Sequence, residues 1–116
     1  MPVSVLCPEV VRLVGDDWVV VKRAGDELWM EAPDVLRGKI EVRGVGIVDL
    51  ARDLVAAERV RLVMAVDLVS NRDEVERMPD ETLTDVAGCA VAGFKLYPFE
   101  ASAALKVRLA AAAVPI

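Results

Sequence analysis

The sequence predicts an α/β fold that is mostly β-sheet with one C-terminal helix. Short apolar runs rich in Val and Ile alternate with Gly and Asp, and an Ala- and Leu-rich stretch follows near the end. About seven short strands then accompany one helix, which is typical of a mixed fold with a dominant sheet. The 116 residues are 55 % hydrophobic, so we expect a single domain over residues 1–116 with its own core.

Short apolar runs predict strands in the first half of the chain. Residues 10–14 form a first strand, and residues 18–31 form a hairpin because two apolar runs flank the turn signal Ala-Gly-Asp-Glu. Residues 33–38 begin with Pro and end with Gly, which suits one helical turn. Residues 39–50 have a strand pattern that breaks at Gly44, where we expect a bulge or a close approach to the backbone.

The second half contains two further strands and the helix. Residues 61–69 are nearly all apolar, which predicts a strand covered on both faces. The charged residues 71–78 predict a short helix or turn that ends at Pro79. Residues 92–97 form the last strand, and the Ala- and Leu-rich residues 99–113 form the helix.

The composition excludes several classes of function. Histidine is absent, which excludes a Ser-His-Asp or Cys-His nucleophile pair and a zinc site built on imidazole. The net charge of −5, without a basic stripe, argues against a nucleic-acid partner. We expect no signal peptide and no membrane span, hence a cytoplasmic protein. In such a protein Cys7 and Cys89 are expected to be buried, reduced thiols, and the alternative is a disulfide between them.

Two adjacent carboxylates, Asp16 and Asp17, lie between two apolar runs. At the end of a strand such a pair can be held rigidly beside a ligand crevice, where it would bind a metal ion or act as a general base. A solvated Gly-Asp-Asp turn explains the same residues. Their spacing alone leaves both interpretations open.

A second group of candidate residues lies in the segment EVRGVG. Glu41 and Arg43 are two apart, so on one strand they share a face, and an interior charged pair needs a partner or a ligand. One interpretation has Glu41 coordinating a cation and Arg43 contacting phosphate, while Gly44 and Gly46 allow a close approach to the backbone. The other is an edge strand with one solvent-exposed face. Asp67 is expected to be a structural acid near solvent.

The candidate residues fall within a family resemblance. LVGDDWVVV (13–21) followed by GKIEVRGVGIVDL (38–50) resembles the C-terminal catalytic domain of the HPr kinase/phosphorylase family. AVDLVSNRDEVERMPDET (65–82) and YPFEASAALKVRLA (97–110) resemble the short, single-domain type found in alphaproteobacteria. The similarity covers roughly residues 12–110.

This resemblance implies an enzyme that uses ATP and Mg²⁺ to phosphorylate a serine on HPr, the small phosphocarrier of the sugar phosphotransferase system. It also implies a P-loop nucleotide-binding fold related to phosphoenolpyruvate carboxykinase, and a homo-oligomer. Asp16 would activate the serine hydroxyl with Asp17 beside it, and Glu41 would lie on the metal. The residues expected to contact the cofactor are Arg43, Gly44 and Gly46.

The chain departs from the family pattern in two places. The family has a Gly-rich loop ending in Gly-Lys-Ser shortly before the Asp-Asp strand, and this sequence contains no G-x-x-x-x-G-K-[ST] motif. Glu100 stands where longer members have an Arg used in dephosphorylation. We therefore expect an N-terminally truncated form of the domain. The alternatives are a loop-less descendant that acts as a protein-binding or oligomerising module, and a different nucleotide or metabolite enzyme that uses the same acids.

Overall fold

The structure, a computed structural model, describes residues 11–80 and 82–114. Within these residues the chain divides into two compact units, an N-terminal unit of residues 11–62 and a C-terminal unit of residues 63–114. The prediction of one domain over residues 1–116 stays a prediction. The predicted fold class is confirmed, because the described residues form mostly β-sheet with one C-terminal helix.

Two antiparallel sheets build the N-terminal unit. In chain order its strands are β1 (Val20–Ala24), β2 (Glu27–Glu31), β3 (Lys39–Val42), β4 (Gly46–Asp49) and β5 (Val60–Arg61). One sheet has the order β1-β2-β5, and the other is the β3–β4 hairpin. Two short 3₁₀ helices, Asp34–Leu36 and Arg52–Leu54, complete the unit. The first of them confirms the helical turn predicted over residues 33–38.

The hairpin predicted over residues 18–31 is confirmed. Ala24 pairs with Glu27, which leaves a two-residue turn in which Gly25 has a φ of +63°. Glycine adopts this left-handed conformation without strain, which explains the sharp reversal. Leu28 on β2 is 2 % exposed, and the carbonyl oxygen of Leu28 accepts a 2.9 Å hydrogen bond from the N–H of Leu62. This side chain is the most deeply buried in the described residues.

The prediction of a first strand over residues 10–14 is wrong, because the described residues 11–14 contain only an isolated β-bridge. Val10 lies outside the described residues, and Leu13 makes only an isolated parallel bridge to Val55. The N–H of Leu13 donates to the oxygen of Leu54, and the N–H of Ala56 donates to the oxygen of Leu13, both at 2.8 Å. The bridge nevertheless fixes the segment that leads into the Asp-Asp pair.

The prediction of one strand through Gly44 is also wrong, because residues 39–50 form a hairpin. The N–H of Val45 donates a 2.9 Å hydrogen bond to the oxygen of Val42, and Gly44 has a φ of +85°. A four-residue turn with glycine in the left-handed region at its third position has the type II pattern. The break in alternation therefore marks a reversal of the chain.

The C-terminal unit contains one mixed sheet and the helix. Its elements are β6 (Met64–Leu68), β7 (Leu83–Val86), β8 (Cys89–Leu96) and α1 (Ala103–Ala113). Strand β8 lies in the centre, parallel to β6 and antiparallel to β7. The strand predicted over residues 92–97 is confirmed but begins earlier, whereas β7 has no counterpart among the predicted elements. In the described part of the chain, no helix is long and apolar enough to cross a membrane.

The single strand predicted over residues 61–69 is wrong. Strand β5 ends at Arg61 and belongs to one sheet, while β6 begins at Met64 and belongs to another. Strand β6 is an edge strand, and Leu68 is 64 % exposed, so the segment is not covered on both faces. Asp67 is exposed, as expected of a structural acid near solvent.

Two further local predictions are confirmed. The charged segment 71–78 contains the 3₁₀ helix Arg72–Glu74, and Asn71 forms a capping box with Glu74. The C-terminal helix begins at Ala103, four residues later than predicted. Residues 98–102 form a turn instead, in which the backbone carbonyl oxygen of Glu100 accepts a hydrogen bond from the N–H of Ala103.

Gly93 in the centre of β8 has no room for a side chain. A Cβ atom at this position would overlap Thr84 Oγ1 and lie 3.1 Å from Thr84 Cβ. We expect Gly93→Ala to lower the free energy of unfolding by about 1–3 kcal/mol, measured by urea denaturation. Adding Thr84→Ala should recover a large part of the loss. Equal stability of wild type and Gly93→Ala would contradict this packing.

Candidate functional site

Asp16 is anchored to the edge of β3. One carboxylate oxygen of Asp16, Oδ2, accepts a 2.8 Å hydrogen bond from the backbone N–H of Glu41. The N–H therefore points to Asp16 and away from β4, so the carboxylate occupies an edge position that another strand would otherwise take. Two of the predicted site residues, 25 positions apart in the chain, are brought together by this contact.

Gly15 makes the turn before Asp16 possible. A Cβ atom at Gly15 would lie 2.7 Å from Val19 Cγ1 and 2.9 Å from the backbone oxygen of Trp18. Atoms do not approach this closely without displacement, so any larger residue must shift the turn that carries Asp16. The Gly-Asp-Asp sequence is thus both a turn, as one interpretation held, and the support of an anchored acid.

Glu41 lies on the solvent-exposed face of the β3–β4 hairpin. It stands opposite Ile47, while Lys39 stands opposite Asp49 two residues along the same face. Lys39 Nζ and Asp49 Oδ1 are 2.6 Å apart and form an ion pair. The half-buried Ile40 belongs to the other face. The side chain of Glu41 is therefore accessible to a ligand from solvent.

Arg43 lies in the turn beyond β3, so the expectation that it shares a strand face with Glu41 is wrong. Its side chain is exposed, and within the described residues no hydrogen bond or ion pair holds it. Gly44 and Gly46 have φ angles of +85° and +113°, and a Cβ atom at either would meet no atom within 4 Å. The turn conformation thus explains both glycines, and their contact with a cofactor stays a prediction.

Asp17 is exposed, and no hydrogen bond to its carboxylate is present in the part of the chain that the structure describes. The contact that the structure places here therefore joins Asp16 to Glu41 and does not include Asp17. Sequence reasoning named both members of the contact but missed the contact itself. Its donor is a backbone N–H, which leaves no signal in the sequence.

The donor set at this site suits a magnesium ion that arrives with phosphate ligands. In nucleotide sites Mg²⁺ is held by one or two carboxylates together with phosphate oxygens and water. The exposed side chain of Glu41 offers one such carboxylate, and Asp16, which accepts the backbone N–H of Glu41, carries another. Among residues 11–80 and 82–114 no group of three or more acidic, Cys or His side chains lies together. The triphosphate itself needs cationic and N–H donors, for which Arg43 is present but no Gly-rich loop occurs in the sequence.

A cluster of charged residues around Glu100 lies in the C-terminal unit. The side chain of Glu100 is only 14 % exposed and forms ion pairs with Arg72, at 3.7 Å, and with Lys106. The guanidinium of Arg72 also lies 5.7 Å from the ring centre of Tyr97. Glu100 therefore ties α1 to the segment after β6, a structural role for the residue that departs from the family pattern.

The fold has a counterpart among solved structures. It is similar to the structure of the Hpr(Ser) kinase/phosphatase from Coxiella burnetii, with a TM-score of 0.70 and 21 % sequence identity. The likeness covers 87 % of this chain and 69 % of that chain. At this level of identity the likeness establishes the fold, which is that of an HPr kinase catalytic domain.

The family follows from the sequence. The family model of the HPr serine kinase C-terminal domain matches residues 6–114, and the chain belongs to this family. It is 42 % identical over 64 residues to the HPr kinase/phosphorylase of Caldanaerobacter subterraneus, and 40 % identical over 67 residues to that of Lachnoclostridium phytofermentans. These matches cover 54 % and 57 % of this chain and 21 % of each relative. The family resemblance is confirmed, and the matched part is about a fifth of the length of these relatives.

Proposed function

We propose that this chain carries the acid-bearing part of an ATP- and Mg²⁺-dependent kinase site that phosphorylates a serine of HPr. One observation carries the proposal: the 2.8 Å hydrogen bond from Glu41 N–H to Asp16 Oδ2, which holds the acid proposed as the base against the backbone of the residue proposed to bind the metal. Family membership supports the reaction class, because the relatives are HPr kinase/phosphorylases.

Asp16 acts as the base for the serine hydroxyl. Its Oδ2 is held by the backbone of β3, so the rotation of the carboxylate is restricted and the second oxygen is left for the hydroxyl proton. Asp17 stands next to it in the same turn. Phosphoryl transfer depends mainly on positioning and on neutralising charge, which is why an anchored acid serves this reaction.

Glu41 holds the magnesium ion, and Arg43 with the turn at Gly44 and Gly46 faces the phosphates. When bound, the ion neutralises negative charge on the transferring phosphoryl group. Glu41 is suited to this role because its side chain lies on the exposed face of the hairpin. The wider proposal is a cytoplasmic homo-oligomer that acts on HPr and binds neither nucleic acid nor membranes.

The test supplies the missing phosphate donors. A strand, Gly-rich loop and helix from a full-length relative are fused ahead of Val11, giving what we call the loop-completed chain. We expect it to transfer phosphate from ATP to HPr, measured with radiolabelled ATP, because the loop amides and lysine neutralise the phosphates. The 116-residue chain alone should show no micromolar binding of Mg²⁺-ATP by calorimetry, since its carboxylates repel the triphosphate.

Micromolar nucleotide binding by the chain alone would favour a different enzyme that uses the same acids. A folded, ATP-binding fusion that holds HPr without transferring phosphate would favour the second candidate function, a protein-binding or oligomerising module. That candidate has an observation of its own, because Val45 and Ile47 on the β3–β4 hairpin are 73 % and 72 % exposed. Exposed apolar side chains grouped on one element are typical of protein contact surfaces.

A further inference from the structure

A pocket of about 360 Å³ lies at the end of the β3–β4 hairpin that is opposite to its turn. It is built within the N-terminal unit and shares no residue with the candidate kinase site. The pocket is lined by Arg37, Gly38, Asp49, Leu50, Arg52 and Val55. Two arginines thus line the pocket together with one acid, Asp49, and the other lining residues are glycine or aliphatic.

The three charged side chains of this pocket differ in the number of partners that they have. Within the described residues, no hydrogen bond or ion pair holds the guanidinium of Arg52. Arg37 uses one N–H group, on Nη2, to donate to the oxygen of Ala56 at 3.2 Å and keeps its other donors. The carboxylate of Asp49 is already paired with Lys39 at 2.6 Å. The pocket therefore has two cationic groups and one acid, and the acid is paired with Lys39 in an exposed ion pair.

The backbone of the pocket is preformed. Gly38 has a φ of +75°, and its carbonyl oxygen accepts a 2.8 Å hydrogen bond from the N–H of Leu50. A Cβ atom at Gly38 would lie 3.4 Å from Val55 Cγ2, so the glycine brings the two walls close together. Leu50 and Val55 supply the apolar part of the lining.

We propose that this pocket binds a phosphate group, either inorganic phosphate or the phosphate of a compact ester. Guanidinium groups bind phosphate through paired N–H donors, and two of them match the charge of a phosphate dianion better than that of a single carboxylate. The volume exceeds that of the anion alone, which leaves room for a short organic part against Leu50 and Val55. The site is independent of the proposed kinase activity.

The test titrates inorganic phosphate into the ¹⁵N-labelled 116-residue chain at constant ionic strength. We expect saturable shifts of the amide signals of Gly38, Leu50 and Val55. Arg52→Gln should weaken the binding about tenfold, because a charge-assisted hydrogen-bonded pair is lost. Arg77→Gln, the matched control at an exposed arginine of the C-terminal unit, should leave the affinity unchanged. Sodium acetate should bind more weakly than phosphate, and glycerol 3-phosphate at least as tightly as phosphate.

Two further variants test the direction of the charge effect and the position of the binding site. Asp49→Asn removes the acid and frees Lys39, so phosphate binding should become about two- to fivefold tighter. Lys22→Gln, which removes an exposed cation on β1 of the same unit, should have no effect, because Lys22 belongs neither to this pocket nor to the candidate kinase site. The proposal is overturned by shifts that do not saturate, by an unchanged affinity in Arg52→Gln, or by weaker binding in Asp49→Asn. Since no nucleotide or HPr is present, these outcomes do not depend on the proposed kinase function.

Discussion

Replacing Asp16 with Asn is expected to lower HPr phosphorylation by the loop-completed chain by about 10²- to 10⁴-fold. Asparagine keeps the shape of the side chain, and its amide oxygen still accepts the N–H of Glu41. The anchor therefore survives, while the carboxylate proposed to take the hydroxyl proton is lost. The measurement is the initial rate of phosphate transfer at saturating ATP and HPr.

Two variants make this result interpretable. Asp67→Asn is the matched control, because this acid is exposed on β6 and stands outside the candidate site, and its rate should stay near that of the wild type. Asp16→Ala removes the anchor as well as the base and should be at least as slow as Asp16→Asn. If Asp16→Asn leaves the rate of phosphate transfer by the loop-completed chain unchanged, another group takes the proton.

Leu28→Ala is expected to lower the free energy of unfolding by about 2–5 kcal/mol. Leu28 is 2 % exposed at the centre of the β1-β2-β5 sheet, so its truncation leaves a cavity that the neighbouring strands fill only partly. In a chain of 116 residues this is a large share of the total stability. Urea denaturation followed by Trp fluorescence measures it.

The matched control for this truncation is Leu83→Ala. Leu83 also lies on a strand but is 66 % exposed, so its truncation removes little buried apolar surface. We expect Leu83→Ala to lower the free energy of unfolding by less than about 1 kcal/mol. If the two leucine variants lose the same stability, burial at Leu28 is not what holds the N-terminal unit together.

The elements that could be predicted from the sequence are those set by short-range rules. A turn signal predicted the hairpin over residues 18–31, and a Pro at the start with a Gly at the end predicted the helical turn over 33–38. A run of helix-forming residues predicted the C-terminal helix. Their boundaries shifted by a few residues, as at Ala103, where a turn containing Pro98 delays the helix.

The errors arise where two physical situations give the same local pattern. A nearly continuous apolar run over residues 61–69 fits one buried strand, and equally two short strands that belong to different sheets. A glycine in an alternating segment fits a bulge as well as a turn, and only the hydrogen bond between Val45 and Val42 decides for the turn at Gly44.

The candidate site was predictable in its residue types and not in its contacts. Acids after an apolar run and a charged residue on a half-exposed strand identified Asp16 and Glu41. The hydrogen bond that joins them links residues 25 positions apart through a backbone donor, and a pairing of this kind cannot be predicted from the spacing of side chains. The pocket around Arg52 was missed for a similar reason, since its lining comes from residues just before β3, from the end of β4 and from the 3₁₀ helix that follows.

The group that anchors Asp16 belongs to the main chain of residue 41 and not to its side chain. Every amino acid except proline carries this N–H, so position 41 can diverge over evolutionary time without moving the acid. The carboxylate proposed to bind the metal and the placement of the proposed base can therefore be inherited, altered or lost separately. A descendant that loses the carboxylate of residue 41 still keeps the backbone N–H that holds Asp16 in place.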